Sequence, residues 1–95
     1  MRISPEIAHF LKTRLRDIDP DVEVYLFGSR VDDTKKGGDI DVLILTEKRI
    51  PRSRLREVKQ EFYARFGYQQ LDLVNYLFDE NVPFKSLALL ESEQL

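Results

Sequence analysis

Two short apolar runs, residues 22–27 and 42–45, are separated by a polar stretch that holds three of the chain's four glycines, Gly28, Gly37 and Gly38. This pattern constrains the fold more than any other feature. Two strands that meet across such a stretch are expected to lie side by side and antiparallel. Asp39 and Asp41 stand at the mouth of the second run. Successive strand residues point to opposite faces, so these two carboxylates share one face. Where the first run ends the second begins, so the pairing brings Gly28 and Ser29 beside them. Glycine lets the backbone approach a ligand closely, and the N–H groups that follow can hold anionic oxygens.

The rest of the chain falls into order around this pair. Ser4-Pro5-Glu6 reads as a helix start, with a capping hydroxyl, proline at the first helical position and an acid suited to the dipole. Ile7, Phe10, Leu11, Leu15 and Ile18 then recur at helical spacing, and Asp19-Pro20-Asp21 ends the helix. His9 lies beside this stripe and is better explained as solvated than as catalytic. In the first strand, Val22, Val24 and Leu26 face one way and Tyr25 and Phe27 the other, so both faces are expected to be covered. Residues 29–35 are expected to form a short helix, and Gly37-Gly38 to turn the chain back. In the second strand, residues 39–45, the carboxylate face continues as Leu43 and Leu45, while Ile40, Val42 and Ile44 line the other. Its polar residues are confined to the start, which places the acids at the end of the sheet, within reach of solvent.

Residues 46–53 form a basic connection. Leu55, Val58, Phe62 and Phe66 follow at helical intervals and Gly67 stops the helix. Strand, helix and strand imply a right-handed crossover, so residues 69–77 are expected to run parallel to the second strand and beside it. Asp72, Val74 and Tyr76 then share a face, with Leu71, Leu73 and Leu77 opposite. A last helix starting at Asn81-Val82-Pro83 is expected to turn Phe84, Leu87, Leu90 and Ala88 inward, and residues 91–95 to fray.

Composition narrows the function classes. At 95 residues, the chain predicts a single domain over residues 1–95. Apolar residues at 42% and charged residues at 34% describe a soluble globular protein rather than a disordered one. The absence of cysteine excludes disulfides and thiolate-bound zinc, and one histidine excludes a multi-histidine metal centre. No apolar run reaches membrane-spanning length and the first residues do not read as a leader, so a cytoplasmic protein is expected. A net charge of −2 argues against direct nucleic-acid binding. For the basic cluster Lys48, Arg49, Arg52, Arg54, Arg56 and Lys59, a solvated helix face outweighs a nucleic-acid groove, because aromatic residues are not interleaved through it. An acidic partner protein is the other reading.

Asp72 within Leu71-Asp72-Leu73-Val74 is costly as a mere strand residue, because aspartate is depleted in strands and penalised when buried unpaired. Three clustered carboxylates repel one another unless a cation lies among them. Paired carboxylates beside a phosphate-holding turn suit the chemistry of Mg²⁺ and nucleotides. Arg30 is balanced between a phosphate ligand and a surface arginine.

Gly-Ser, a spacer and then Asp-x-Asp on an apolar strand resembles the nucleotidyltransferase superfamily that includes polymerase beta, and the short length resembles its minimal branch. The resemblance covers roughly residues 22–78. It implies a small α/β nucleotidyltransferase fold, read here as a three-stranded mixed sheet in the order 1-2-3 flanked by helices. It implies that Asp39 and Asp41 hold two Mg²⁺ ions, with Asp72 as the third carboxylate. Gly28, Ser29 and Arg30 are then expected to hold the phosphates of ATP or another nucleoside triphosphate. Minimal members of the family resemble antitoxins paired with a HEPN-domain toxin, to which they transfer AMP at a tyrosine hydroxyl. The resemblance therefore implies an antitoxin of that kind. One departure stands out, since family enzymes often follow the serine-arginine pair with Arg-Gly and here Asp32-Asp33 follows Val31. Two other readings compete: a catalytically silent antitoxin that acts by binding, and more weakly a metal-dependent glycosyltransferase.

Overall fold

A computed structural model describes residues 3–28 and 39–95. The expected helix over residues 29–35, the Gly37-Gly38 turn, and Ser29 and Arg30 as phosphate ligands lie outside the described residues. The elements are α1 (Pro5–Ile18), β1 (Glu23–Phe27), β2 (Ile40–Thr46), α2 (Arg52–Phe66), β3 (Leu71–Leu77), α3 (Pro83–Leu90) and β4 (Glu93–Gln94). Ser4 caps α1 as the sequence requires, its Oγ accepting the Ile7 N–H at 3.2 Å. Gly67 ends α2 at a φ of 82°, a positive value open to glycine at little cost.

The sheet runs β3-β2-β1-β4. β1 and β2 are antiparallel, with Phe27 opposite Asp41, and β2 and β3 are parallel, with Asp41 opposite Asp72. The expected order of the first three strands holds, but the sheet has four strands. Instead of fraying, the chain end pairs with the free edge of β1: Tyr25 faces Gln94, Leu26 faces Glu93, and the Leu95 N–H bonds the Val24 carbonyl at 2.8 Å. Leu95 also packs on the main core, so the pairing is anchored by apolar burial.

The two sheet faces are covered unequally. On one, α1 and α2 close over Val24, Leu26, Ile40, Val42 and Ile44, with Leu11, Leu15, Val58 and Phe62 fully buried between them. Phe10 meets Phe66 edge-on at 5.5 Å between centroids, and Arg14 Nε bonds Glu61 at 2.7 Å across the helix pair. On the other face, the one that carries Asp41 and Asp72, Leu43, Leu45 and Ala88 form a smaller cluster under α3. Asn75 fixes the end of the sheet remote from the carboxylates. Its Nδ2 donates to the Ile44 carbonyl at 3.1 Å and to Thr46 Oγ1 at 3.0 Å, while its Oδ1 accepts the Ile50 N–H at 2.8 Å.

α3 corrects an expectation. Ala88 turns inward as expected, but Phe84, Leu87 and Leu90 are 45%, 65% and 80% exposed, and Lys85 is buried. The physical reason is the ammonium of Lys85, which donates to the carbonyls of Leu77, Phe78 and Glu80 at 2.9, 2.6 and 3.0 Å. These charge-assisted bonds fix the rotation of the helix against an apolar stripe that would otherwise turn down. Among the described residues, no helix is long and apolar enough to cross a membrane.

Candidate active site

The site lies where β1 ends and β2 and β3 begin. Because β2 and β3 are parallel neighbours in register, Asp41 and Asp72 stand side by side on the face that α3 only partly covers. Asp39 lies one residue ahead of β2 and is exposed. Gly28 follows β1 directly, at a φ of 78°. A Cβ at this position would lie 2.5 Å from Asp41 Oδ2, so the glycine backbone is packed against that carboxylate. Glycine is thus required twice here, for its conformation and for its lack of a side chain.

The electrostatics follow from the placement. Asp41 is half-buried, and its carboxyl is pushed above its ordinary value, first by burial, then by the negative charges of Asp72 and Asp39, and also by a hydrogen bond to Asp72. Two like charges held together at the mouth of a sheet are unfavourable by themselves, and a cation between them relieves the conflict. Among the described residues, no three His, Cys, Asp or Glu side chains are gathered closely enough to hold an ion as they stand. The donors that are present are all carboxylate oxygens, the ligand type of Mg²⁺ rather than of zinc or copper. In chemistry and in mutual repulsion, the residues fit a hard divalent cation.

Asp39, Asp41, Asp72 and Gly28 are therefore brought to one end of the sheet. Sequence reasoning gave Gln70 no role, yet its Nε2 donates to Asp72 Oδ1 at 3.0 Å and its Oε1 accepts from the Tyr68 hydroxyl at 3.3 Å. The first bond orients the Asp72 carboxylate and the second holds Gln70 in place. The available signal was the spacing: residues 70 and 72, two apart, point to the same side of an extended chain.

Comparison with known proteins bears on this arrangement. A family model described as nucleotidyltransferase domain matches residues 9–90, a span that takes in all four of these positions. No curated protein matches the chain. Among solved structures, a mutant of the toxin–antitoxin MntA-HpeT aligns with a TM-score of 0.69 at 24% identity, over 92% of this chain and 69% of that one. A toxin–antitoxin structure with AMP-PNP aligns with the same TM-score at 22% identity, over 92% of this chain and 70% of that one. At these identities the likeness is one of fold.

Proposed function

The chain belongs to the nucleotidyltransferase domain family, and from that premise we propose that it transfers a nucleoside monophosphate, AMP from ATP first of all, to a hydroxyl of a partner protein. The observation that carries the reading is the pairing of Asp41 with Asp72 across a parallel ladder, with Gly28 packed on Asp41. Asp39, Asp41 and Asp72 would hold Mg²⁺, with two ions expected. Bound there, the metal would supply charge neutralisation for the triphosphate and the leaving pyrophosphate, and acidify the acceptor hydroxyl.

The protein's own residues account for the rest. Gly28, with no side chain, lets the backbone lie against the Asp41 carboxylate, and Ser29 and Arg30, next in the chain, are assigned the β- and γ-phosphates of the triphosphate. The acceptor oxygen attacks the α-phosphorus, the bond from that phosphorus to the bridging oxygen breaks, and pyrophosphate departs. The acceptor's proton passes to Asp72, whose carboxylate Gln70 already orients. A positioned base of this kind contributes about 10²–10⁴-fold.

The acceptor is proposed to be a tyrosine of a HEPN-type toxin, which makes this chain an antitoxin. Two things support that reading: the resemblance of the motif to minimal nucleotidyltransferases, and the likeness in fold to toxin–antitoxin structures, one of them with AMP-PNP. The test is to incubate the protein with Mg²⁺, α-labelled ATP and a HEPN-domain toxin. Label on the toxin that is lost in Asp41→Asn is expected. Equal labelling by that variant sinks the assignment, and tight binding without label under any nucleotide establishes the silent antitoxin instead.

A further inference from the structure

On the sheet face opposite the carboxylates, Arg52, Arg56 and Lys59 recur at helical spacing along α2 and, with Arg49, line a groove of about 660 Å³ between that helix and β3. Its apolar lining includes Leu55, Leu73 and Tyr63. Arg49 is engaged by Glu80 at 3.0 Å. Among the described residues, Arg52, Arg56 and Lys59 have no ion-pair partner.

β3 is also the outer strand of the sheet on this side. The Gln70 carbonyl and the Phe78 N–H bond to β2, so by the two-residue period the backbone groups of Leu71, Leu73, Asn75 and Leu77 turn outward. The far half of that edge is sealed by side chains. Arg49 donates to the Asn75 carbonyl at 3.1 Å, Glu80 accepts the Leu77 N–H at 3.0 Å, and Lys85 takes the Leu77 carbonyl. Among the described residues, nothing seals the outward groups of Leu71 and Leu73. An open edge that alternates donors and acceptors matches another peptide strand. A phosphodiester chain offers acceptors alone and leaves the outward carbonyls unmatched. Alternate side chains of an added strand would face α2, where the cations call for acids.

We propose that the groove between α2 and β3 docks an extended acidic segment of a partner protein, which adds a strand at Leu71 and Leu73 and sets its carboxylates against Arg52, Arg56 and Lys59. The site at Asp41 and Asp72 occupies the other face, so both can be engaged at once.

The test uses the whole chain and a short fluorescein-labelled peptide of alternating glutamate and valine, followed by anisotropy and by amide NMR. Binding is expected, with amide shifts at Leu71 and Leu73. Methylation of alternate peptide nitrogens, which removes the donors of one strand edge, is expected to abolish it. The double variant Arg52→Glu, Arg56→Glu changes two exposed side chains, so its thermal unfolding is expected to match the parent while affinity falls ~10-fold or more. Equal binding of the methylated peptide overturns strand addition. Binding of a single-stranded oligonucleotide of matched charge in preference to the peptide makes the groove a nucleic-acid site. Self-association that protects the Leu71 and Leu73 amides and excludes the peptide replaces the partner with a second copy.

Discussion

Substituting Gly28 with alanine tests the link between backbone and site directly, because the chain contains its own control. Gly28 and Gly67 have nearly the same φ, 78° and 82°, but a Cβ at Gly67 meets nothing within 4 Å, whereas at Gly28 it falls 2.5 Å from Asp41 Oδ2. Gly67→Ala therefore isolates the conformational cost of an alanine at positive φ, about 1–3 kcal/mol. Gly28→Ala carries a positive-φ cost of the same kind plus a clash that is relieved only if the carboxylate retreats. Ordinary contact begins at 3.4 Å, so the carboxylate must move by roughly 0.9 Å, the difference between that value and 2.5 Å. Overpacking of this kind adds about 1–3 kcal/mol, and the lower end is expected because the site opens to solvent. Urea unfolding should then place Gly28→Ala about 2–4 kcal/mol below the parent and clearly below Gly67→Ala. A misplacement near 1 Å costs on the order of 10²-fold in rate, so single-turnover nucleotide transfer should fall by about that factor in Gly28→Ala and hold in Gly67→Ala. If the two variants are equally stable and equally active, Asp41 is not held by the glycine backbone and the reasoning fails.

Other consequences can be measured with the same preparations. The folded state raises the Asp41 carboxyl above its unfolded value, so it binds the proton more tightly than the unfolded chain does and loses stability as pH rises through the folded pKa. Metal-free Asp41→Asn should accordingly melt higher than the parent at pH 7, with the gain vanishing below the carboxylate range; a variant that melts lower at pH 7 contradicts this. Mg²⁺ should raise the melting temperature of the parent but not of Asp41→Asn, as read by a thermal shift titration. Lys85→Met keeps the buried stem but strands the Phe78 and Glu80 carbonyls, that of Leu77 keeping the Glu80 N–H, and chemical denaturation should show a loss of about 2–4 kcal/mol, with parental stability refuting the clasp.

Much of this architecture was legible because it obeys simple periods. Alternation separated Val24 and Leu26 from Tyr25 in residues 22–27, and Val42 and Ile44 from Asp41 and Leu43 in residues 39–45, and the packing agrees within each strand. Spacings of three and four residues located α1 and α2, and the crossover rule put Asp72 beside Asp41. What escaped was carried by single contacts. β4 is two residues long and has no period to read; the free edge of β1 and the burial of Leu95 create it. The rotation of α3 was read from Phe84, Leu87 and Leu90 but is decided by Lys85, whose carbonyl partners lie at the end of β3 and in the turn after it. Gln70 and Asn75 act through bonds to specific atoms, which composition does not encode.

The parallel ladder of β2 and β3 also bears on how the molecule assembles. Its partners are 31 positions apart in sequence, a separation shown by the bond from Asn75 to Ile44, so closing it fixes a long loop that α2 must span. α2 can begin to form from local contacts, but Asp41 and Asp72 repel one another only once the ladder zips. The carboxylate pair is thus created, together with its electrostatic penalty, in a single non-local folding step. A cation that lowers the penalty at that step would act as a folding cofactor before it serves any reaction, and refolding in Mg²⁺ should be faster to the extent that the transition state already contains the paired strands.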